Sequence, residues 1–327
     1  MKHATLLCAA LALATACGDD DGSDDTTDLP PADMGAMVDS SMPMADAGPG
    51  DDLGVDPTCD AESCVNGACE TDVCVCDDGW TGASCEDLDE PATDGVLLWF
   101  DADMPETLTI SDGNQVDAWE ARFAVGGGGA TVTAPSDGQR PRFQPGTSTW
   151  GHGALGFDGV DDKLVQEGLW PGLAGRTDYT VFGVYTHARS NTSAFTMTDP
   201  EGNPGFGLGT GPLSRQMMCL YGDGDGDTAL VDTEADATPS SGIQVVVLRV
   251  TTDGANMRLN GAEVDRQASA ITLALPASEI VFGAESVDGD MRTYAGAIGE
   301  VIVYGTALDE GALTAVEDYL LAKWQSM

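Results

Sequence analysis

The chain has 327 residues, with 55 Asp and Glu against 13 Lys and Arg, a formal net charge of −42. Residues 3 to 121 contain no Lys or Arg at all. Phosphate binding needs clustered cations and attachment to anionic headgroups needs a basic patch, so nucleic acid and acidic lipid surfaces are excluded as partners, whereas divalent cations are compatible.

After Lys2 and His3 an apolar run extends from Leu6 to Ala16. It is too short to span a bilayer and has the length of a signal-peptide core. It ends Ala14-Thr15-Ala16-Cys17 and is followed by Gly18-Asp19-Asp20-Asp21. That junction resembles the bacterial lipobox. The resemblance implies that residues 1–16 are a lipoprotein signal peptide and that Cys17 becomes the lipidated N-terminus. It places the protein in the bacterial cell envelope, lipid-anchored to the outer membrane and exposed at the surface. Residues 17–58 are dominated by Asp, Gly, Pro, Ser and Ala. So little apolar area cannot offset chain entropy, which predicts a disordered acidic stalk reaching roughly 35 Å as a flexible coil.

Residues 59–86 carry six cysteines spaced C-x4-C-x4-C-x4-C-x-C-x8-C, ending Cys74-Val75-Cys76-Asp77-Asp78-Gly79-Trp80-Thr81-Gly82-Ala83-Ser84-Cys85. A dense, even cluster in an exported chain reads as disulfides, and six cysteines allow 15 pairings. The single-residue C-x-C and the aromatic between Gly79 and Gly82 resemble an EGF-like module. That resemblance implies the pairs Cys59–Cys69, Cys64–Cys74 and Cys76–Cys85. Such a short segment buries too little core to fold without its bridges. The acidic motif of calcium-binding modules is missing before Cys59, so calcium is not expected there.

From about residue 94 short strand-like runs alternate with Gly, Asp and Pro. The clearest are Val96 to Phe100, Tyr179 to Tyr185, Ile243 to Val250, Ile280 to Phe282 and Glu300 to Tyr304. Asn260-Gly261 between Met257 and Val264 predicts a hairpin with a type I′ turn. Cys219, in Met217-Met218-Cys219-Leu220-Tyr221, reads as a buried strand residue. One helix is predicted at the end, with Leu313, Val316, Leu320 and Trp324 on one face and Asp309 as N-cap. The fold class is therefore mainly β, a sandwich or jelly roll with one C-terminal helix. Leu98-Trp99-Phe100-Asp101-Ala102-Asp103, then Trp119, Leu155-Gly156-Phe157-Asp158-Gly159-Val160-Asp161-Asp162, and Gly299-Glu300-Val301-Ile302-Val303-Tyr304 with the helix ending Lys323-Trp324 resemble, in that order, the concanavalin A-like lectin/glucanase superfamily in its laminin-G-like form. The resemblance covers residues 94–327 and implies a jelly roll.

Catalytic members of that superfamily carry Glu-x-Asp-x-Glu on one strand, which puts three carboxylates on one face. Here Glu263-Val264-Asp265-Arg266-Gln267 lacks the third acid, so the chain is expected not to be an enzyme. His152 and His187 have no Cys, His or Glu at metal-ligand spacing. Asp223, Asp225, Asp227 and Glu234 fall at positions 1, 3, 5 and 12 of an EF-hand-like loop, which predicts calcium, although Thr228 stands where that loop needs glycine. Asp158, Asp161 and Asp162 form a second acidic group, and Asp158-Gly159 is most simply turn chemistry. Trp150 and Trp170, in Gly/Pro-rich sequence, are candidate sugar-stacking platforms or core residues.

The expected function is a non-catalytic surface lipoprotein that binds or adheres to glycans or glycoproteins. The alternatives are a polysaccharide-active envelope enzyme and a purely structural spacer or assembly subunit.

Overall fold

The computed structural model describes Cys59 and residues 63–71, 73–125, 130–146, 151–166, 168–186, 189–199, 204–222, 228–238, 242–268, 277–288 and 292–325. A small disulfide-linked segment comes first, with strands β1 (Gly67–Glu70), β2 (Val73–Cys76), β3 (Trp80–Thr81) and β4 (Asp87–Leu88). Next are β5 (Val96–Asp101), β6 (Leu108–Ser111), β7 (Gln115–Glu120), β8 (Phe123–Ala124), β9 (Thr131–Thr133), β10 (Arg142–Gln144), β11 (Ala154–Asp158), β12 (Leu164–Gln166) and β13 (Tyr179–Thr186). They are followed by β14 (Thr192–Thr198), β15 (Pro204–Thr210), β16 (Met217–Gly222), β17 (Thr228–Asp232), β18 (Ile243–Thr251), β19 (Gly254–Leu259), β20 (Ala262–Ala268), β21 (Glu279–Phe282), β22 (Ala295–Tyr304) and α1 (Glu310–Gln325).

The strands from β5 onward form two antiparallel layers. The front layer runs β6-β7-β9-β12-β21-β14-β15-β16-β17. In the back layer, β22 has β13 on one side and, end to end on the other, β11 and β5; β18, β19 and β20 continue beyond β13, β10 beyond β11 and β8 beyond β5. The layers meet in the pair Arg142↔Gln115, where β10 joins β7. Between them lies the main core, centred on a run of rings in which Trp119 and Phe282 flank Phe100 and Phe282 continues to Phe195, with centroids 4.9, 5.0, 5.1 and 4.6 Å apart. Period-two alternation explains the membership: Phe206 and Leu208 face inward on β15, while Gly207 and Gly209 leave room for the neighbouring strand. Cys219 is buried in this core, and burial pushes its thiol well above the ordinary range.

In β5, β13 and β22 the described residues are mostly buried on both faces, because α1 covers the outer face of the back layer. Trp99, Phe182, Val184, Val245, Val247 and Ile302 pack there against Leu313, Val316, Tyr319, Leu320 and Trp324. Asp309 Oδ1 accepts the Ala312 N–H at 2.9 Å and so caps the helix. Asn260 and Gly261 both take positive φ, as the tight turn between β19 and β20 requires. The strand bearing Glu263 and Asp265 is exposed, and Glu263 pairs with Arg266.

Three disulfides join Cys59 to Cys69, Cys64 to Cys74 and Cys76 to Cys85. These are the pairs that the resemblance to an EGF-like module implied. The segment rests on α1: Gly79 has φ +82°, and a Cβ there would fall 2.3 Å from the Asp318 carbonyl oxygen and 2.7 Å from Ala322 Cβ. Leu88 packs against the helix-facing core, and Glu90 pairs with Arg122 at 3.1 Å. All described residues belong to one compact unit, Val55–Met327. No described helix is long and apolar enough to cross a membrane.

Candidate functional site

Several residues singled out in the sequence, Cys17, Trp150, Asp223, Asp225 and Asp227, lie outside the described residues, as do His187 and the whole stalk. For Trp170 the structure favours the core alternative, and for Glu234 the strand it follows decides its place. Trp170 is no platform: it is 4% exposed and belongs to the main core. Its backbone pairs both ways with Ser278, and its ring covers Gly172, where a Cβ would fall 2.2 Å from Trp170 Cζ2. A large ring beside Pro171 and Gly172 closes this part of the core instead of facing solvent. Glu234 is no partner for the 223–227 aspartates. Thr228–Asp232 is a strand paired along β16, and five residues at about 3.3 Å each put ~17 Å between that connection and the far end, where Glu234 lies. An EF-hand-like loop would have to curl back over that distance.

The acidic turn after β11 is turn chemistry. Asp158 Oδ1 accepts the N–H groups of Val160 at 2.7 Å and Asp161 at 3.4 Å, and Gly159 takes φ +76°. Asp162 Oδ2 accepts the Asp158 N–H at 2.9 Å. Carboxylate oxygens of Asp158, Asp161 and Asp162 lie within 4.8 Å of one another. Burial pushes the Asp162 carboxyl up to about 6; the Asp158 N–H opposes this, and the neighbouring acids add to it.

That turn borders a cleft of about 560 Å³ at the seam where the two layers meet. Arg142 stands opposite Gln115 on β7 and opposite Gly156 on β11, and Gly156 stands opposite Ala297 on β22. The floor is therefore built of small residues. A Cβ at Gly156 would fall 2.1 Å from Gln144 Nε2, so the Gln144 side chain lies across the space that glycine leaves. Arg140, Asp158 and Asp162 complete the polar lining, with Phe157 as an apolar element. Arg140 is tied to Asp117 at 2.5 Å and Asp137 at 2.7 Å.

Arg142 differs. Every other described Lys and Arg side chain reaches a carboxylate or a backbone carbonyl: Lys163 holds Val287, Arg176 holds Gly305, Arg189 holds Gly159, and the rest are ion-paired. Among the described residues Arg142 is exposed and has no such partner, and the Gln115 and Gln144 amides have no hydrogen-bond partner either. Sequence reasoning missed this group because its members come from three strands. One signal was available: Arg140-Pro141-Arg142 is the one place in this acidic chain where two cations stand two positions apart.

Two other polar groupings are structural. Glu300 and Asp101, 0% and 1% exposed, share the Lys323 ammonium at 3.0 and 2.8 Å. Glu300 also accepts Trp99 Nε1 at 2.7 Å, Trp324 Nε1 at 2.8 Å and Tyr319 Oη at 3.2 Å. Neither acid lines the cleft. The cluster bolts α1 to β5 and β22. His152 Nδ1 lies 2.7 Å from Asp103 Oδ2, and Asp103 Oδ1 accepts the Gly153 N–H at 2.6 Å. Burial would raise the Asp103 carboxyl, but these hydrogen bonds hold it below the usual range. No described hydroxyl or thiol hydrogen-bonds to the His152 ring.

No protein-family model matches the chain, and no curated protein matches it in sequence. Among solved structures it is similar to the binding domain of botulinum neurotoxin serotype D, at 13% identity and TM-score 0.49, covering 70% of this chain and 52% of that one. It is similar to a Trypanosoma rangeli sialidase at 15% identity and TM-score 0.49, covering 74% of this chain and 34% of that one. It is also similar to domain 4 of an extracellular arabinanase from Geobacillus stearothermophilus, in complex with arabinotriose, at 14% identity and TM-score 0.45, covering 68% of this chain and 98% of that domain. The chain thus spans about half the length of the toxin domain and a third of the sialidase.

Proposed function

We propose that this chain is a non-catalytic glycan-binding protein of the bacterial cell surface, anchored by lipid on Cys17 and carrying its sandwich beyond an acidic stalk and an EGF-like module. The observation that supports this reading is the seam cleft. It gathers the guanidinium of Arg142 and the amides of Gln115 and Gln144, none of them hydrogen-bonded or ion-paired to a described residue, over a floor of small residues. Planar donors and acceptors in a concave site of mixed polar and apolar lining fix a polyhydroxylated ligand by directional hydrogen bonds. The test is a glycan array probed with the full chain carrying Cys17→Ser, beside the same chain with Arg142→Ala added. Binding to defined glycans that the second substitution abolishes supports the reading. An array with no glycan bound refutes it and leaves the enzyme and spacer alternatives.

The proposal includes the anchor and a cation. Cys17→Ser should move the protein from the detergent phase to the aqueous phase, and unchanged partitioning would refute lipidation at that residue. Calcium held by Asp223, Asp225 and Asp227, without Glu234, should raise the melting temperature, and Asp225→Ala with Asp227→Ala should remove that rise.

A further inference from the structure

The seam cleft carries one free cation set against carboxylates, in a chain of net charge −42. Arg140 contributes no free charge, since Asp117 and Asp137 hold its guanidinium. Arg142 faces Asp158 and Asp162, so the local charge of the lining is at most balanced. A ligand carboxylate or sulfate reaching Arg142 would meet those two acids at the same site and the acidic field of the whole surface on approach. An uncharged sugar meets no such opposition. Each of its hydroxyls both donates and accepts, and the lining offers both kinds of partner side by side.

Resting on the glycan-binding reading above, we infer that the cleft selects uncharged glycans and rejects acidic ones. Arg142 and Gln144 donate to sugar oxygens, while Asp158 and Asp162 accept hydroxyl protons and repel carboxylates. Gly156 sets the depth of the site: any Cβ there displaces the Gln144 amide from the floor. Arg142 is exposed and makes no hydrogen bond or ion pair to a described residue, although its charge lowers the Asp162 carboxyl.

The experiment is isothermal titration of the full chain carrying Cys17→Ser with cellohexaose, mannohexaose and arabinohexaose, and with hexagalacturonate and hexamannuronate. At least one neutral hexamer should bind, with an affinity that does not change between 50 and 500 mM NaCl, because no ion pair to the ligand is formed. Neither uronate should bind. Arg142→Gln and Gly156→Ala should each weaken the neutral ligand at least tenfold, and circular dichroism of Arg142→Gln should show the wild-type fold. Uronate binding that is tighter than neutral binding and weakens with salt would overturn this inference while leaving glycan binding in place. Neutral binding that Arg142→Gln leaves untouched would move the site elsewhere and overturn it too. Failure of all five hexamers, with no glycan bound on the array, would overturn both readings together.

Discussion

Lys323→Met tests the cluster that fastens α1 to the sandwich. Lys323 is 6% exposed and donates to Asp101 Oδ2 at 2.8 Å and Glu300 Oε2 at 3.0 Å. Methionine preserves the stem and removes the charge, leaving two buried carboxyl groups with Arg122, 3.4 Å from Asp101, as the remaining nearby cation. Breaking a buried ion pair from one side costs about 3–5 kcal/mol. At about 2–4 °C per kcal/mol for a unit of this size, the melting temperature should fall by about 6–20 °C. The pH dependence carries a second signature. Burial, then the charge of Glu300, pushes the Asp101 carboxyl up to about 6 even with Lys323 present. A folded-state value above the unfolded one means this group's contribution to stability is fully present below about pH 4 and lost as pH rises through about 6. The variant's deficit should therefore be larger at pH 8 than at pH 5. Circular dichroism melts under non-reducing conditions at the two pH values measure both quantities. A deficit below about 1 kcal/mol at pH 8, the range of exposed pairs, or one that does not shrink at pH 5, would refute the reasoning.

Trp170→Ala should cost about 3–5 kcal/mol in urea unfolding, as for other buried aromatics, while the remaining folded protein keeps its glycan affinity; lost affinity at unchanged stability would restore the ring as a ligand platform. Gly79→Ala should lift the disulfide-linked segment off α1, because the new methyl meets the Asp318 carbonyl and φ is positive. Limited proteolysis between residues 86 and 94 should then quicken, and an unchanged cleavage rate would count against that docking. Asp162→Asn keeps an acceptor for the Asp158 N–H and removes a charge that burial disfavours. Melts should show a gain at pH 8 and the loss of the stabilisation that wild type acquires as pH falls through about 6.

Local chemistry was legible in the sequence. Asn260-Gly261 specified its turn, Asp309 its cap, and Leu313, Val316, Leu320 and Trp324 their common face, because each depends on neighbours within a few residues. Val96 to Phe100 and Tyr179 to Tyr185 were readable as strands because continuous apolar runs mark strands covered on both sides. Placement across the sandwich was not legible. The Gly/Pro context of Trp170 left platform and core equally open, and pairing with Ser278 turns it inward. Asp223 to Glu234 matches a loop pattern, yet the apolar residues within it pair with β16 and extend the chain. The cleft rests on the registers Arg142↔Gln115 and Arg142↔Gly156, which bring together residues 27 and 14 positions apart.

β22 comes last among the strands in chain order yet lies inside its sheet, between β13 on one side and β5 and β11 on the other. During synthesis the back layer therefore lacks its middle until residue 304 has emerged, and β5 waits about two hundred residues for the strand it lies along. Contacts of such long sequence separation form slowly, since chain closure must precede the gain from pairing. The nascent chain cannot complete the back layer early. Until then the β5 and β13 edges stay unpaired, and unpaired edges of that kind invite association between half-made chains.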